Sequence, residues 1–289
     1  MTPLRRFDIH QPSSAAEASR MLAAFGDDAG LYAGGTELLL AMRHGALRYR
    51  HLVDVKVIPG FDSIGQRDGF LEIGASATHR AIERSPLVRA LQPVLADMES
   101  QVANVRVRAA GTLGGNLCFA EPHSDPATLL LVLEAMVRAE GPDGSREMRI
   151  DQLIAGAYAS SLQPHELLTT IRIPCAAPDQ RAAYLKFQVH ERPTLGLALL
   201  LETQDGGRTI TQARVAVGCV CPHPRRSQAA EALLIGSRGE VDHRLDRAAN
   251  ALADDAGIID DHEGGADYKR HLIGVFLRRA LSNALRSGS

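Results

Sequence analysis

The chain has 289 residues, 45% of them hydrophobic, which is enough for one large domain or for two to three smaller lobes with buried cores. Its 32 lysine and arginine residues balance 34 aspartate and glutamate residues, so no basic excess favours nucleic acid or an anionic membrane as a partner. The longest apolar runs, such as Leu195–Leu201, fall short of the roughly 20 residues of a membrane span, and Met1–Asp8 lacks a secretory signal, so we expect a soluble cytoplasmic protein.

The first elements form a strand, a glycine turn and a helix in sequence. Helical spacing of apolar residues predicts a helix over Ala15–Phe25, which Gly26 ends. A short strand over Gly30–Ala33 then leads into the turn Gly34-Gly-Thr36. We expect a second helix over Glu37–Arg43, which begins directly after this turn.

The middle of the chain alternates short strands and helices. Ser85-Pro86 is typical of a helix start, and the helix that begins there extends to about Met98. We also predict strands at His51–Val55, Phe70–Gly74, Ala135–Ala139 and Leu167–Ile173, and helices at Thr78–Arg84 and Ala127–Leu133.

After Pro174 the pattern changes to strands followed by helices. The strands are predicted at Ala182–His190, Leu195–Glu202 and Thr209–Val220, with Asp205–Gly207 as a hairpin turn. The helices are predicted at Arg225–Leu234, Asp242–Ala256 and Ala266–Ala284. This order indicates a separate α+β lobe at the carboxyl end of the chain.

Two glycine turns are candidates for binding phosphate. A double glycine between a strand and a helix leaves backbone N–H groups open to an anion, although Gly34-Gly-Thr36 alone is more often a plain turn. With a second turn of this kind, Gly111–Asn116, the chain has two loops that could bind the two phosphates of a dinucleotide. Neither turn has the GxGxxG pattern of Rossmann domains or the Gly-Lys-Ser/Thr of a P-loop. Asp125 is either an acceptor for ribose hydroxyls or the N-cap of the helix that follows.

The four cysteines are dispersed along the chain. Only Cys219 and Cys221 lie close together, and on the predicted strand their thiols would share one face. Iron–sulfur clusters and structural zinc usually use closely spaced pairs of the C-x2-C type. The spacing therefore favours packed free thiols over metal ligands.

Five segments together resemble one protein family. They are Ala33–Leu38 (AGGTEL), Ile73–Thr78 (IGASAT), Arg108–Leu117 (RAAGTLGGNL), Pro122-x-x-Asp125 and Leu167–Pro174 (LLTTIRIP), in this order. Ala183–Phe187 and Gly264–His271 extend the likeness to nearly the whole chain. The combination resembles the FAD-binding medium subunit of the xanthine dehydrogenase and aerobic carbon monoxide dehydrogenase family of molybdenum hydroxylases.

The resemblance implies an α+β fold in two domains. Residues 1–174 would form an FAD-binding domain of the vanillyl-alcohol oxidase (PCMH-like) type, with subdomains of about 1–55 and 56–174. Residues 175–289 would form a C-terminal lobe of three strands and a helical bundle.

It also implies the cofactor residues. The FAD diphosphate would lie between Ala33, Gly34, Gly35, Thr36, Glu37 and Leu38 on one side and Thr112, Gly114, Gly115 and Asn116 on the other. Asp125 and Ser124 would bind the ribityl or adenosine part, and Cys118 and Leu168 would lie near the rings.

Lys186 would approach the isoalloxazine from the C-terminal lobe, where an ammonium group stabilises the anionic reduced flavin. The alternative is a lysine on an edge strand with a solvated tip. The segment Gln188–Thr194 departs from the Arg-rich stretch of many relatives, which leaves the exposed face of the flavin undefined. For His123 we expect a solvated or capping role and no part in catalysis.

By the same resemblance, the metals are on partner subunits. A large subunit would hold molybdopterin and a small subunit two 2Fe–2S clusters, in a dimer of heterotrimers. Electrons would pass through FAD on this chain to NAD+, a quinone or oxygen. The alternatives are a self-sufficient FAD oxidase of the vanillyl-alcohol oxidase type and a scaffold with an empty FAD fold.

Overall fold

The structure, a computed structural model, describes residues 4–286; the first three residues of the segment considered for a secretory signal lie outside this range. The chain begins with a parallel sheet of three strands in the order β1-β3-β2. The strands are β1 Asp8–His10, β2 Ala29–Tyr32 and β3 His51–Asp54, and the helices beside them are α1 Ala15–Phe25 and α2 Leu38–His44. Helix α1 has the predicted bounds, because Ser14 caps its start and Gly26 ends it with φ +55°.

An antiparallel sheet of five strands follows, in the order β4-β5-β10-β6-β7. Its strands are β4 Ile64–Arg67, β5 Phe70–Gly74, β6 Met136–Gly141, β7 Gly144–Arg149 and β10 Leu167–Pro174, and a separate short pair is formed by β8 Ile154–Gly156 and β9 Ala159–Ser160. The edge strand β7 is largely exposed and β4 is half-buried and mostly polar, which explains why the apolar pattern did not predict them.

Seven helices connect and cover the strands of this part of the chain. They are α3 His79–Arg84, α4 Pro86–Leu91, α5 Pro93–Glu99, α6 Val105–Ala110, α7 Leu113–Phe119, α8 Asp125–Val132 and α9 Ile150–Leu153. The single helix predicted from Ser85 to Met98 is wrong, because Pro93 starts a new helix after Gln92. Helix α7 occupies most of the stretch that was predicted as the second glycine turn.

The last part of the chain has three long strands and three helices, as predicted. The strands are β11 Gln180–Gln188, β12 Pro193–Gln204 and β13 Thr209–Gly218, with β14 Arg225–Arg226 and β15 Gly236–Ser237 as short additions along β13. The helices are α10 Gln228–Leu233, α11 Arg238–Ala256 and α12 Ala266–Arg286.

The sheet of β11, β12 and β13 is buried on both faces. On β12, Ala198 and Leu200 pack with α8 in the core of the first part of the chain, whereas Leu197 and Leu199 pack with α11 and α12. Because side chains alternate across a strand, one sheet joins two cores. The face of β11 that carries Tyr184 belongs to the first of these cores and lies toward the segments Gly34–Leu38 and Gly111–Asn116. Within residues 4–286, no helix has both the length and the apolarity to cross a membrane.

The two neighbouring cysteines do not share a strand face. Strand β13 ends at Gly218, and Cys219 has a left-handed backbone with φ +66°. Both thiols are buried and free, and they contact different carbonyl groups: Cys219 that of Ser124 and Cys221 that of His223. They are packed side chains, as expected, but the predicted common face is wrong.

Candidate functional site

A cleft of about 300 Å³ lies where both sheets of the first part of the chain meet β11. Its walls come from the loop after β2, helix α7, the start of α8, the start of β10 and the end of β11. Every residue that the resemblance assigned to the cofactor lines this cleft: Ala33, Gly34, Gly35, Thr36, Glu37, Leu38, Thr112, Gly114, Gly115, Asn116, Cys118, Ser124, Asp125, Leu168 and Lys186. The fold thus brings together side chains that lie up to about 150 residues apart in sequence.

The loop after β2 presents a row of backbone donors. Among the described residues, none of the five N–H groups from Gly34 to Leu38 donates a hydrogen bond. Gly35 has φ +68°, a conformation that other residues resist. Consecutive N–H groups in such a loop form an anion-binding concavity. This part of the cleft therefore fits a phosphate group.

The second glycine segment is built differently from our expectation. The N–H of Gly114 donates to the Ala75 carbonyl at 2.9 Å, that of Gly115 to Thr112 Oγ1 at 3.1 Å, and that of Asn116 to the Thr112 carbonyl at 2.9 Å. Thr112 is therefore the N-cap of α7, and the prediction of open amides here is wrong. The donors of the first turn of α7 are thus all taken, two of them by Thr112 and the others by the carbonyl groups of Ala75 and Ala77.

The glycines of the two segments serve close packing. A Cβ on Gly34 would lie 2.3 Å from the Ala110 carbonyl oxygen and 2.6 Å from Gly111 Cα. A Cβ on Gly114 would lie 2.5 Å from that of Ala75. The loop after β2 thus touches the segment before α7 backbone to backbone, and the two together form a continuous floor of the cleft.

Asp125 does not cap helix α8. Ser124 occupies the N-cap position, and the Asp125 carboxylate turns toward β11, where Oδ1 accepts from the Tyr184 hydroxyl at 2.6 Å and Oδ2 from Lys186 Nζ at 3.1 Å. Burial raises the pKa of Asp125, and Lys186 and Tyr184 act against that effect. The interpretation of Asp125 as an N-cap is therefore wrong, while each oxygen keeps a lone pair for another donor.

Lys186 lies on the edge strand β11, but its tip is not solvated. Its side chain is 10% exposed, and Nζ donates to the Gln101 carbonyl at 2.5 Å as well as to Asp125. The alternative of a solvated lysine is thus wrong. One N–H of the ammonium group is left for a third acceptor at the cleft.

Smaller contacts shape the rest of the wall. Ser124 Oγ donates to Asn116 Oδ1 at 2.7 Å, which leaves the Asn116 NH2 group as a donor. Burial raises the pKa of Cys118 to about 12, so its thiol stays protonated and acts as an apolar surface. Leu168 is 5% exposed and supplies the apolar surface at the start of β10.

An ion-pair network that the sequence analysis missed closes one end of the cleft. Arg192, from the β11–β12 hairpin, binds Glu37 at 2.9 Å and Glu121 at 3.1 Å. His123 bridges Glu121 at 3.3 Å and Asp261 at 3.2 Å, so its predicted solvated or capping role is wrong. Its hydrogen bond to Glu121 raises the pKa of His123, although burial acts in the opposite direction. Arg192 and Asp261 lie far in sequence from Glu37, Glu121 and His123, and neither belongs to a segment of the resemblance.

A buried pair and one hydroxyl were also missed. His79 and Glu99 are joined by a contact of 2.6 Å between Nδ1 and Oε2, and His79 lines the cleft. Ser76 lines it as well, and its buried hydroxyl has no partner among the described residues. Ser76 belongs to the Ile73–Thr78 segment of the resemblance, which was the available signal.

Two family models match the chain in succession. The first, the FAD binding domain in molybdopterin dehydrogenase, covers residues 5–176. The second, the CO dehydrogenase flavoprotein C-terminal domain, covers residues 184–284.

Individual relatives match over nearly their full lengths. The carbon monoxide dehydrogenase medium chain of Hydrogenophaga pseudoflava is 32% identical over 281 residues, which are 96% of this chain and 97% of the relative. The xanthine dehydrogenase FAD-binding subunit of Escherichia coli O157:H7 is 26% identical and covers 96% and 95% of the two chains.

Solved structures show the same fold. A chain of the Hydrogenophaga pseudoflava carbon monoxide dehydrogenase superposes with a TM-score of 0.92 at 32% identity, with 98% of each chain covered. A chain of quinoline 2-oxidoreductase from Pseudomonas putida 86 gives 0.92 at 25% identity, with 99% of each covered. The chain therefore belongs to the family of FAD-binding domains of molybdopterin dehydrogenases, with the C-terminal domain of the CO dehydrogenase flavoprotein type.

Proposed function

We propose that this chain is the FAD-carrying electron-transfer subunit of a molybdenum-containing hydroxylase or dehydrogenase. The observation that supports this most is the row of N–H groups from Gly34 to Leu38, which have no partner in the part of the chain that the structure describes and lie in a cleft that every assigned cofactor residue lines. The diphosphate of FAD carries the acceptors that such a row needs. Bound FAD would supply an isoalloxazine ring that takes up and releases electrons.

We propose that different residues of the cleft bind different parts of FAD. The amides of Gly34–Leu38 would bind the diphosphate, and the second glycine segment would let it approach closely. Asp125 and Ser124 would accept from hydroxyl groups of the cofactor. Cys118 and Leu168 would pack on its rings, and they exclude water from that part of the cleft.

Lys186 would lie beside the isoalloxazine. Its ammonium group is held in place by Asp125 and Gln101, so its position is fixed before any ligand arrives. A fixed positive charge in a water-poor cleft favours negative charge on its neighbour. We propose that this charge tunes the flavin toward its reduced form.

The partners follow from the relatives, several of which are medium chains or FAD subunits of larger complexes. We propose a large molybdopterin subunit and a small 2Fe–2S subunit as partners, in a dimer of heterotrimers in the cytoplasm. The electron acceptor could be NAD+, a quinone or oxygen.

We also propose domain bounds of 1–174, with subdomains of about 1–55 and 56–174, and of 175–289. The three main sheets, which lie within 8–54, 64–174 and 180–237, support this division.

Co-production of the chain with the products of neighbouring genes tests this proposal. We expect a complex that contains non-covalent FAD, the visible absorbance of 2Fe–2S clusters, and molybdenum by metal analysis. A flavoprotein that purifies alone and oxidises a substrate without metals would favour the oxidase alternative. A colourless preparation that also fails to take up added FAD would contradict the proposal.

A further inference from the structure

His79 and Glu99 form a pair that is almost sealed from water. The His79 side chain is 3% exposed and that of Glu99 is fully buried. Glu99 Oε2 lies 2.6 Å from His79 Nδ1, and Glu99 Oε1 has no partner among the described residues. Among the described residues, His79 is the one ionisable group in contact with the Glu99 carboxylate.

The burial of the pair determines where its protons lie. A contact of 2.6 Å between nitrogen and oxygen needs a proton between them. A net charge on a buried pair is costly, so the neutral forms are favoured. Both neutral forms, imidazolium with carboxylate and imidazole with carboxylic acid, also carry a proton on His79 Nε2. His79 is thus a hydrogen-bond donor through its second nitrogen.

That second nitrogen is the one left for a ligand. Glu99 lies behind His79, outside the lining of the cleft, whereas His79 is part of the lining. Within residues 4–286, no protein group bonds to Nε2. The Nδ1 contact also prevents the ring from flipping to present a bare acceptor.

The ring lies where the two glycine segments meet. The backbone N–H of His79 donates to the Gly111 carbonyl at 3.0 Å. A Cβ built on Gly111 would lie 3.2 Å from His79 Cδ2 and 3.4 Å from Thr36 Oγ1, so these two side chains flank the same glycine. Neither Ala33–Leu38 nor Gly111–Asn116 contains a lysine or arginine, and Glu37 adds a negative charge.

We propose that His79 is a further cofactor-binding residue, which donates its Nε2–H to a phosphate oxygen of FAD, and that Glu99 is its positioning residue. This inference rests on the proposed function, since it assumes that the diphosphate lies over the glycine segments. This donor would add to the backbone amides of the loop after β2.

FAD titration of the full-length, flavin-free chain tests the proposal with two variants, one that removes the N–H donor and one that keeps it. His79→Phe keeps a flat ring but removes the donor, and His79→Gln keeps an N–H near the position of Nε2. We expect His79→Phe to weaken FAD binding by about tenfold or more, as for a lost hydrogen bond to a charged group, and His79→Gln to retain most of the affinity. The reverse order would show that the ring only fills space, and it would overturn the proposal.

The same change elsewhere provides the control. His223 is half-buried beside a different cleft, and His223→Phe should leave FAD binding unchanged. An equal loss in His223→Phe would overturn the proposal, because the effect would then belong to the substitution and not to the site. If His79→Phe does not fold, His79→Asn takes its place, because its amide lies near the position of Nδ1 and leaves no donor at that of Nε2: a loss of about tenfold supports the proposal and unchanged affinity overturns it.

A double-mutant comparison tests the role of Glu99. If Glu99 acts through His79, Glu99→Leu, which leaves Nδ1 without a partner, weakens FAD binding in the wild-type background and has no further effect beside His79→Phe. Equal losses in both backgrounds would show a separate structural role and overturn this part. A wild-type chain that does not bind FAD would refute the proposed function itself, whereas a wild type that binds and variants that bind equally would refute only the inference.

Discussion

Asp125 is an almost fully buried acid, and two side chains of β11 determine how it is held. The sequence pointed to Asp125 and Lys186 through the family resemblance, but it gave no sign of Tyr184, whose hydroxyl lies 2.6 Å from the carboxylate. The pairing spans about 60 residues and depends on the docking of one strand against α8. Such contacts are set by tertiary packing, which no local motif records.

Lys186→Ala removes the fixed positive charge of this group. We expect the midpoint potential of the bound flavin to fall by about 30 mV, which for a two-electron couple corresponds to ~1.4 kcal/mol, because the anionic reduced form loses a stabilising charge. Spectroelectrochemical titration measures this shift. Arg181→Ala removes a cation of the same strand outside the cleft and should leave the potential unchanged; an unaltered potential in Lys186→Ala would assign the lysine a purely structural role.

His123 makes the stability of the fold depend on pH. Its pKa is raised on folding by the hydrogen bond to Glu121, so its contribution is full below the unfolded value of about 6.5 and is lost as the pH rises through the higher folded value. From about pH 6 to about pH 8, we expect the melting temperature of the wild type to fall by about 2 °C more than that of His123→Gln. Thermal melts of both proteins in matched buffers measure this difference, and parallel curves would contradict it.

At the scale of elements, local signals predicted some segments well and failed where partners come from afar. Helix α1 has the predicted bounds because its cap and its glycine stop lie in its own sequence. The second glycine segment was misjudged because the carbonyl that takes the Gly114 N–H belongs to Ala75, in a distant loop. The edge strand β4 was missed because it has a single large apolar side chain, Ile64, and its pairing with β5 determines it.

Gly34→Ala tests the contact between the two glycine segments. Its Cβ would lie 2.3 Å from a backbone oxygen that cannot move aside cheaply, so we expect about 1–3 kcal/mol of lost stability and at least about tenfold weaker FAD binding. Gly65→Ala is the matched control, because a Cβ there meets nothing within 4 Å. Denaturation and FAD titration of both variants measure the effects. If Gly34→Ala behaves like Gly65→Ala, the segments do not need to touch.

At the scale of the whole molecule, the sheet of β11, β12 and β13 is what unites the chain. Its two faces belong to two different cores, and one face includes Tyr184, whose hydroxyl donates to Asp125 in the wall of the cleft. The change of pattern after Pro174 predicted a separate lobe, and the three long strands and three helices appear as expected. The shared core could not be read from the sequence, because β12 is apolar on both faces and its alternation is hidden.

A shared core predicts that both lobes unfold together. Ala198, Leu200 and Ala216 of the C-terminal sheet pack among residues of the first part of the chain, so loss of one lobe exposes apolar surface on the other. We expect a single calorimetric transition with equal calorimetric and van't Hoff enthalpies. Two resolved transitions would contradict this coupling.

The central claim is that the cleft of this chain binds FAD, and equilibrium titration of the flavin-free, full-length protein with FAD tests it most directly. We expect saturable binding of one FAD per chain, with the flavin released intact when the protein is denatured. FAD that fails to bind at saturating concentrations, or binds equally well after Gly34→Ala, would contradict it.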